Sequence, residues 1–188
     1  KGDDGERRVL LNSGDRLWAQ VAFQFAHEVC HIQCNYRDKE KSNLWFEESL
    51  CEAASLFVLR RMAETWKTKP PYANWKSYAP SLHDYADKRI VDIDKPADMS
   101  TAEWFRRHEA ELRSTGTNRR HNQIVAVALL PLLEKKPENW QAVRYLNLGD
   151  PQAKLSFPQF LREWHGRVPA EQREFVEAVG AVFEIAVK

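Results

Sequence analysis

The sequence predicts a mainly α-helical fold. Between residues 17 and 32, Leu17, Trp18, Val21, Phe25, Val29 and Ile32 recur at three- and four-residue spacing, the period of one helix face. Helix-start signals recur along the rest of the chain, at Ser42 or Asn43, Ser81, Ser100, Asn118, Ser156 and Pro169. Against them stands a single candidate strand, residues 7–12.

Taken in order, residues 1–6 read as a flexible lead. Ser13-Gly14-Asp15 forms a turn with a cap, and a first helix runs from about Asp15 to Asn35. Its apolar stripe places that helix inside the protein. The charged residues 37–41 form a loop. A long second helix then ends before Pro70-Pro71, because proline lacks the donor that a helix interior needs. Residues 72–80, with Tyr72, Trp75 and Tyr78, are expected at the rim of a cleft.

Ser81 caps a helix reaching toward Asp94. Ser100-Thr101-Ala102-Glu103 has capping-box form, and its helix stops near Gly116. Asn118 opens a very apolar helix kinked at Pro131, expected as the central core element. Another helix covers residues 137–147. Ser156 begins one carrying Phe157, Phe160, Leu161 and Trp164, and Pro169 begins the last, with Phe175, Val179, Val182 and Phe183. These aromatic stripes read as core. The organisation expected is a metal-binding core over residues 1–70 and a helical subdomain over residues 71–188 packed on it, with one continuous domain as the alternative.

The 188 residues are 43% apolar and include seven Trp, enough for a substantial core. With 28 basic and 27 acidic residues the net charge is +1, which argues against nucleic acid or an anionic membrane as the main partner. The longest apolar run, residues 124–133, is ten residues long and contains Pro131, too short to cross a bilayer. A cytoplasmic setting is the expectation, with a secreted one open should the start be trimmed, since the chain begins at Lys1 without Met.

Chemistry concentrates at His27-Glu28-Val29-Cys30-His31, an H-E-x-x-H pattern on the first helix. Residues four apart on a helix share a face, so both imidazoles can reach one cation, while Glu28, offset around the helix, can reach a water. A third ligand is offered by Glu48, which follows His31 after sixteen intervening residues, room for a turn and an antiparallel helix. Glu52, four residues further, can orient a ligating His through its other ring nitrogen. Glu47 competes with Glu48, but its own i+4 neighbour is Cys51, a poor orienter. Cys34 lies one turn beyond the histidines, where a fourth thiolate ligand is conceivable; Cys30, Cys34 and Cys51 read first as small core thiols. A disulfide from Cys30 or Cys34 to Cys51 would need the two helices tightly packed.

The H-E-x-x-H pattern followed by Trp45-Phe46-Glu47-Glu48-Ser49-Leu50-Cys51-Glu52 resembles the gluzincin branch of zinc metallopeptidases, the thermolysin-like enzymes and zinc aminopeptidases, over residues 15–65. The metzincin pattern is not met, since Cys34 and Arg37 stand where its glycine and third histidine belong. The resemblance implies a zincin-like active-site helix pair with a C-terminal helical bundle. It also implies Zn²⁺ held by His27, His31 and Glu48, Glu28 as general base, Glu52 behind a ligand, and a peptide or protein substrate. Gluzincins place a twisted sheet before the active-site helix; here that sheet is reduced or missing, and residues 9–12 could serve as a substrate-pairing edge strand. Ser49, where the family usually has Gly, is expected to tighten the space near the ligand. For the oxyanion, His121 is the leading donor candidate, ahead of Tyr78, Tyr85 and Tyr145. Arg106-Arg107 and Arg119-Arg120 are surface pairs that could hold a substrate carboxylate. The alternative function is a non-catalytic helical interaction domain that retains a structural zinc site.

Overall fold

A computed structural model describes residues 5–36 and 40–188. Seven α-helices make the framework: α1 Trp18–Gln33, α2 Leu44–Trp66, α3 Ala79–Val91, α4 Thr101–Ser114, α5 Arg119–Lys135, α6 Phe157–Arg167 and α7 Ala170–Val182. Two 3₁₀ segments, Ala73–Tyr78 and Pro137–Tyr145, link them. Among the described residues no strand forms, so the mainly α expectation holds. The short strand at residues 7–12 does not form: the stretch has no ladder partner among the described residues. It is tied to α1 by side chains, the Gln24 amide accepting from the Asn12 N–H and donating to the Asn12 carbonyl. The expected lead and loop fall partly on residues 1–4 and 37–39, which lie outside the described residues.

α2 is the organising element, packing against α1, α3 and α5. Its pairing with α1 is antiparallel: Glu47 faces His31, Glu52 faces His27, and the Ser55 hydroxyl donates to the Phe23 carbonyl at 2.8 Å. The face of α1 that meets α2 is Ala19, Phe23, Ala26 and Cys30, not the expected stripe. Trp18 and Phe25 are about half exposed, as is Leu17 just before the helix. Apart from Phe23, the buried face carries small side chains, which let the two helices come close. The reading of α1 as wholly interior is corrected accordingly.

Caps fall mostly where expected. Ser100 accepts from the Glu103 N–H, but the Glu103 carboxylate turns to Arg107 rather than closing the box. Asn118 caps α5, and Ser156 with Gln159 forms a complete capping box on α6. α3 begins at Ala79, ahead of Ser81, and α5 runs through Pro131. Gly116 does more than end α4: a Cβ there would come within 3.0 Å of Leu44 Cβ and 3.1 Å of the Trp45 nitrogen, so glycine lets this turn lie against the start of α2.

The main core joins both halves of the chain. Trp45 and Phe46 of α2 meet Phe105, Phe157, Phe183 and Trp164, with ring centroids 4.6–6.1 Å apart among the closest pairs. The same buried cluster runs from Cys30 to Val187. Residues 72–78 do not form a rim over the site. Trp75 instead packs on Trp18 and Trp66, at the opposite end of α1 from His31.

Candidate metal centre

One turn of α1 and one of α2 build the site. His27 and His31, four apart, stack edge to face with centroids 4.9 Å apart. Their Nε2 atoms both turn toward Glu48, whose Oε2 lies 3.2 Å from His27 Nε2 and whose Oε1 lies 3.6 Å from His31 Nε2. Their Nδ1 atoms both face carboxylates on the other side: His31 Nδ1 donates to Glu47 Oε1 at 2.8 Å, and His27 Nδ1 lies 3.8 Å from Glu52 Oε2. The Glu47 hydrogen bond fixes a proton on His31 Nδ1, so that a cation would take the Nε2 side in exchange for the second ring proton, while Glu52 stands behind His27 beyond hydrogen-bond distance.

Bonds of about 2.0–2.1 Å at tetrahedral angles separate neighbouring donors by about 3.4 Å. The 3.2 and 3.6 Å separations lie on either side of that value, each to a different oxygen of Glu48. Glu52, expected behind a histidine, occupies that place behind His27. Glu47, set aside at the sequence level, proves to be the tighter partner: it is fully buried, between His31 and the Asn147 amide, which donates to its Oε2 at 2.8 Å. Asn147 lies a hundred residues away in sequence, so local spacing carried no sign of it. The i+4 rule compared Glu47 with Cys51 along α2, whereas His31 reaches it from α1 and Asn147 from just past the 3₁₀ segment.

Electrostatics keep this cluster charged. Burial pulls the His31 imidazole down, but its hydrogen bonds to Glu47 and Glu48 and their charges outweigh that and raise it to about 10. Burial likewise pushes Glu48 up, and the two histidines overcome it, lowering Glu48 to about 2. Glu52 goes the other way, raised by burial despite Arg89, whose Nη1 lies 3.5 Å from it. Arg89 is itself held over the rings of Phe23 and Tyr85, at 4.3 and 5.1 Å.

Glu28 is half buried and, among the described residues, has no hydrogen bond or ion pair. It lines two clefts at once. One, with Arg7, Arg8, Val9, His31, Ile32 and Tyr36, lies toward the end of α1. The other, of about 270 Å³, includes His27, Glu52, Tyr85, Arg89 and Arg119. The extended residues 7–12 contribute to both, so the chain's lead passes over the site.

Of the proposed oxyanion donors, only Tyr85 lines a cleft, and its hydroxyl accepts from Arg89. His121 does not line either cleft: it packs edge-on against Trp104 and His108 of α4, with centroids 5.2 Å away. Tyr78 accepts from the Ala19 N–H at the start of α1, and Tyr145 packs against the main core. The residue that sequence reasoning missed is Tyr36, whose ring stands 5.4 Å from His31. α1 ends in a Schellman motif: the Asn35 N–H bonds the Ile32 carbonyl, the Tyr36 N–H bonds the His31 carbonyl, and Asn35 takes φ 57°. That reversal folds Tyr36 back over His31; the signal was the Asn just past the helix end. Ser49, expected to crowd the ligand, is fully buried and donates to its own helix at the Trp45 carbonyl, 2.7 Å away.

Behind the site lie Cys30, Cys34 and Cys51, all free and buried. Their sulfurs sit within 4.8 Å of one another, and His27, His31 and Cys51 also offer donor atoms within that distance. The described residues thus contain groups able to hold a metal ion. Comparison with protein families, curated proteins and solved structures gives no significant match.

Proposed function

We propose that this chain is a zinc-dependent peptidase of the gluzincin kind. The observation that carries the reading is the paired orientation of His27 and His31: both Nδ1 atoms are backed by carboxylates and both Nε2 atoms converge on Glu48. Imidazole nitrogens with a single carboxylate suit Zn²⁺, and three protein ligands leave a position for substrate or water, as a catalytic rather than a structural site requires. Bound zinc supplies Lewis acidity to the reacting carbonyl and to water.

The chain's own residues do the rest. Glu28, unpaired at the junction of the two clefts, takes the proton from the attacking water and returns it to the leaving amine. Glu47 holds the His31 imidazole in one orientation through its hydrogen bond, and Glu52 stands behind His27. Tyr36 and Tyr85 are the hydroxyl groups placed to steady a developing oxyanion. A peptide substrate lies in the clefts beside residues 7–12.

Metal analysis of the purified chain should give one zinc, and Glu28→Gln should keep it while losing cleavage of a peptide library by a factor of about 10² or more. Turnover that survives in that variant removes Glu28 from the reaction. A second reading, a structural ion in a non-catalytic interaction domain, draws on the proximity of Cys51 to the two histidines. It is distinguished by ligand substitution: loss of zinc in Cys51→Ala with retention in Glu48→Ala favours it.

A further inference from the structure

Two donor sets are interleaved on the same helix pair. His27, His31 and Glu48 form one; adding three to each number gives Cys30, Cys34 and Cys51, and those residues also converge. Cys30 and Cys34 are four apart on α1, as the histidines are, with sulfurs 4.0 Å apart. Cys51 reaches them from α2, and all three pairs of sulfurs fall within 4.8 Å. We propose that this thiol triad is a second metal site, selective for a thiophilic monovalent cation of the copper(I) class.

The geometry argues for three-fold sulfur coordination. Bonds of about 2.3 Å to three sulfurs in a plane hold those sulfurs about 4.0 Å apart. The Cys30–Cys34 pair already has that spacing, and the Cys51 sulfur lies within 4.8 Å of both. The donors are all sulfur, which selects soft cations over Mg²⁺ or Ca²⁺. A structural zinc site takes four ligands, and the nitrogens that come within 4.8 Å of Cys51 are those of His27 and His31, whose rings face Glu47, Glu48 and Glu52. A cation content with three thiolates fits better. Each sulfur that bonds it releases its proton to solvent.

The site also has an entrance. A groove of about 340 Å³, lined by Ala26, Val29, Ala54, Phe57 and Trp140, has Cys30 in its wall. Cys34 and Cys51 lie deeper and are fully buried. An ion delivered through this groove meets Cys30 first and is then enclosed in an apolar pocket away from water. The site does not depend on the hydrolytic reading and can stand if that reading fails.

The test is anaerobic titration of the full chain with copper(I) against a chromophoric chelator, together with X-ray absorption of the loaded protein. One copper(I) per chain is expected, with three sulfurs and no nitrogen around it. The His27→Ala/His31→Ala variant should retain copper with little change, and Cys30→Ser/Cys51→Ser should lose it by at least about a hundredfold. Absence of chelator-resistant copper, nitrogen in the absorption spectrum, or loss of copper in the histidine variant overturns the proposal. The absorption measurement uses the unaltered protein, so it decides the question even if a cysteine variant fails to fold.

Discussion

His31 and Glu48 are held in opposite senses, and the consequence for pH is definite. His31 rises from an ordinary 6.5 to about 10, so its contribution to stability is complete below 6.5 and is lost as pH climbs through about 10. Glu48 falls from 4.5 to about 2, so its contribution is complete above 4.5 and is lost as pH drops through about 2. Metal-free protein should therefore be most resistant to denaturant between about pH 4.5 and 6.5, and weaken on both sides. Chelator-treated samples melted across that range give the check; a stability maximum well above pH 6.5 counts against the charged pair. A cation must displace the His31 proton, so metal affinity should climb as pH rises through neutrality. Glu47 makes a separate prediction. It orients His31 and is itself fixed by Asn147, so Glu47→Gln should weaken zinc binding by about 10–100-fold while sparing the fold. Competition with a zinc chelator measures it, and unchanged affinity would show that His31 needs no orienting carboxylate.

Which face of α1 is buried is the question on which sequence and structure part. The helix has two apolar stripes, one of bulky residues that includes Trp18, Phe25 and Ile32, the other of Ala19, Phe23, Ala26 and Cys30. Hydrophobicity ranks the bulky stripe first. Close approach of two helices favours the smaller one, and α2 packs there because the shared site needs short reach from both helices. Periodicity thus made the helix legible, and the spacing of the motif made legible that His27, His31 and Glu48 would come together, since that is set within two elements. Glu47's link to Asn147, Tyr36's return over His31 and the burial of Ser49 depend on how elements meet, and no local pattern encodes that. The choice of face is measurable. Phe23→Ala should cost about 3–5 kcal/mol, as for a large side chain removed from a core, whereas Phe25→Ser should change stability by no more than about 0.5 kcal/mol. Equal losses from the two in urea unfolding would restore the bulky stripe as the buried one.

At the scale of the whole molecule, the candidate metal centre is held by residues far from it in sequence. The expectation of a metal-binding core over residues 1–70 carrying a helical subdomain treats the site as locally complete. The packing argues for the continuous alternative. Trp45 and Phe46, one turn before Glu48 on α2, have ring partners at Phe105, Phe157, Trp164 and Phe183, and Asn147 fixes Glu47. Without α4 to α7 those two rings and Leu50 would face water, and the free energy of burying them, about 2–3 kcal/mol for each side chain, would be gone. A segment of about 70 residues has little other core to draw on. Residues 1–70 expressed alone should therefore lack cooperative unfolding and bind zinc far more weakly than the full chain, because the two helices would no longer be held in register. Calorimetry and zinc titration of that fragment decide the matter: a cooperative transition with full-chain affinity would mean that α1 and α2 define the centre unaided, and that the aromatic core behind them serves stability alone.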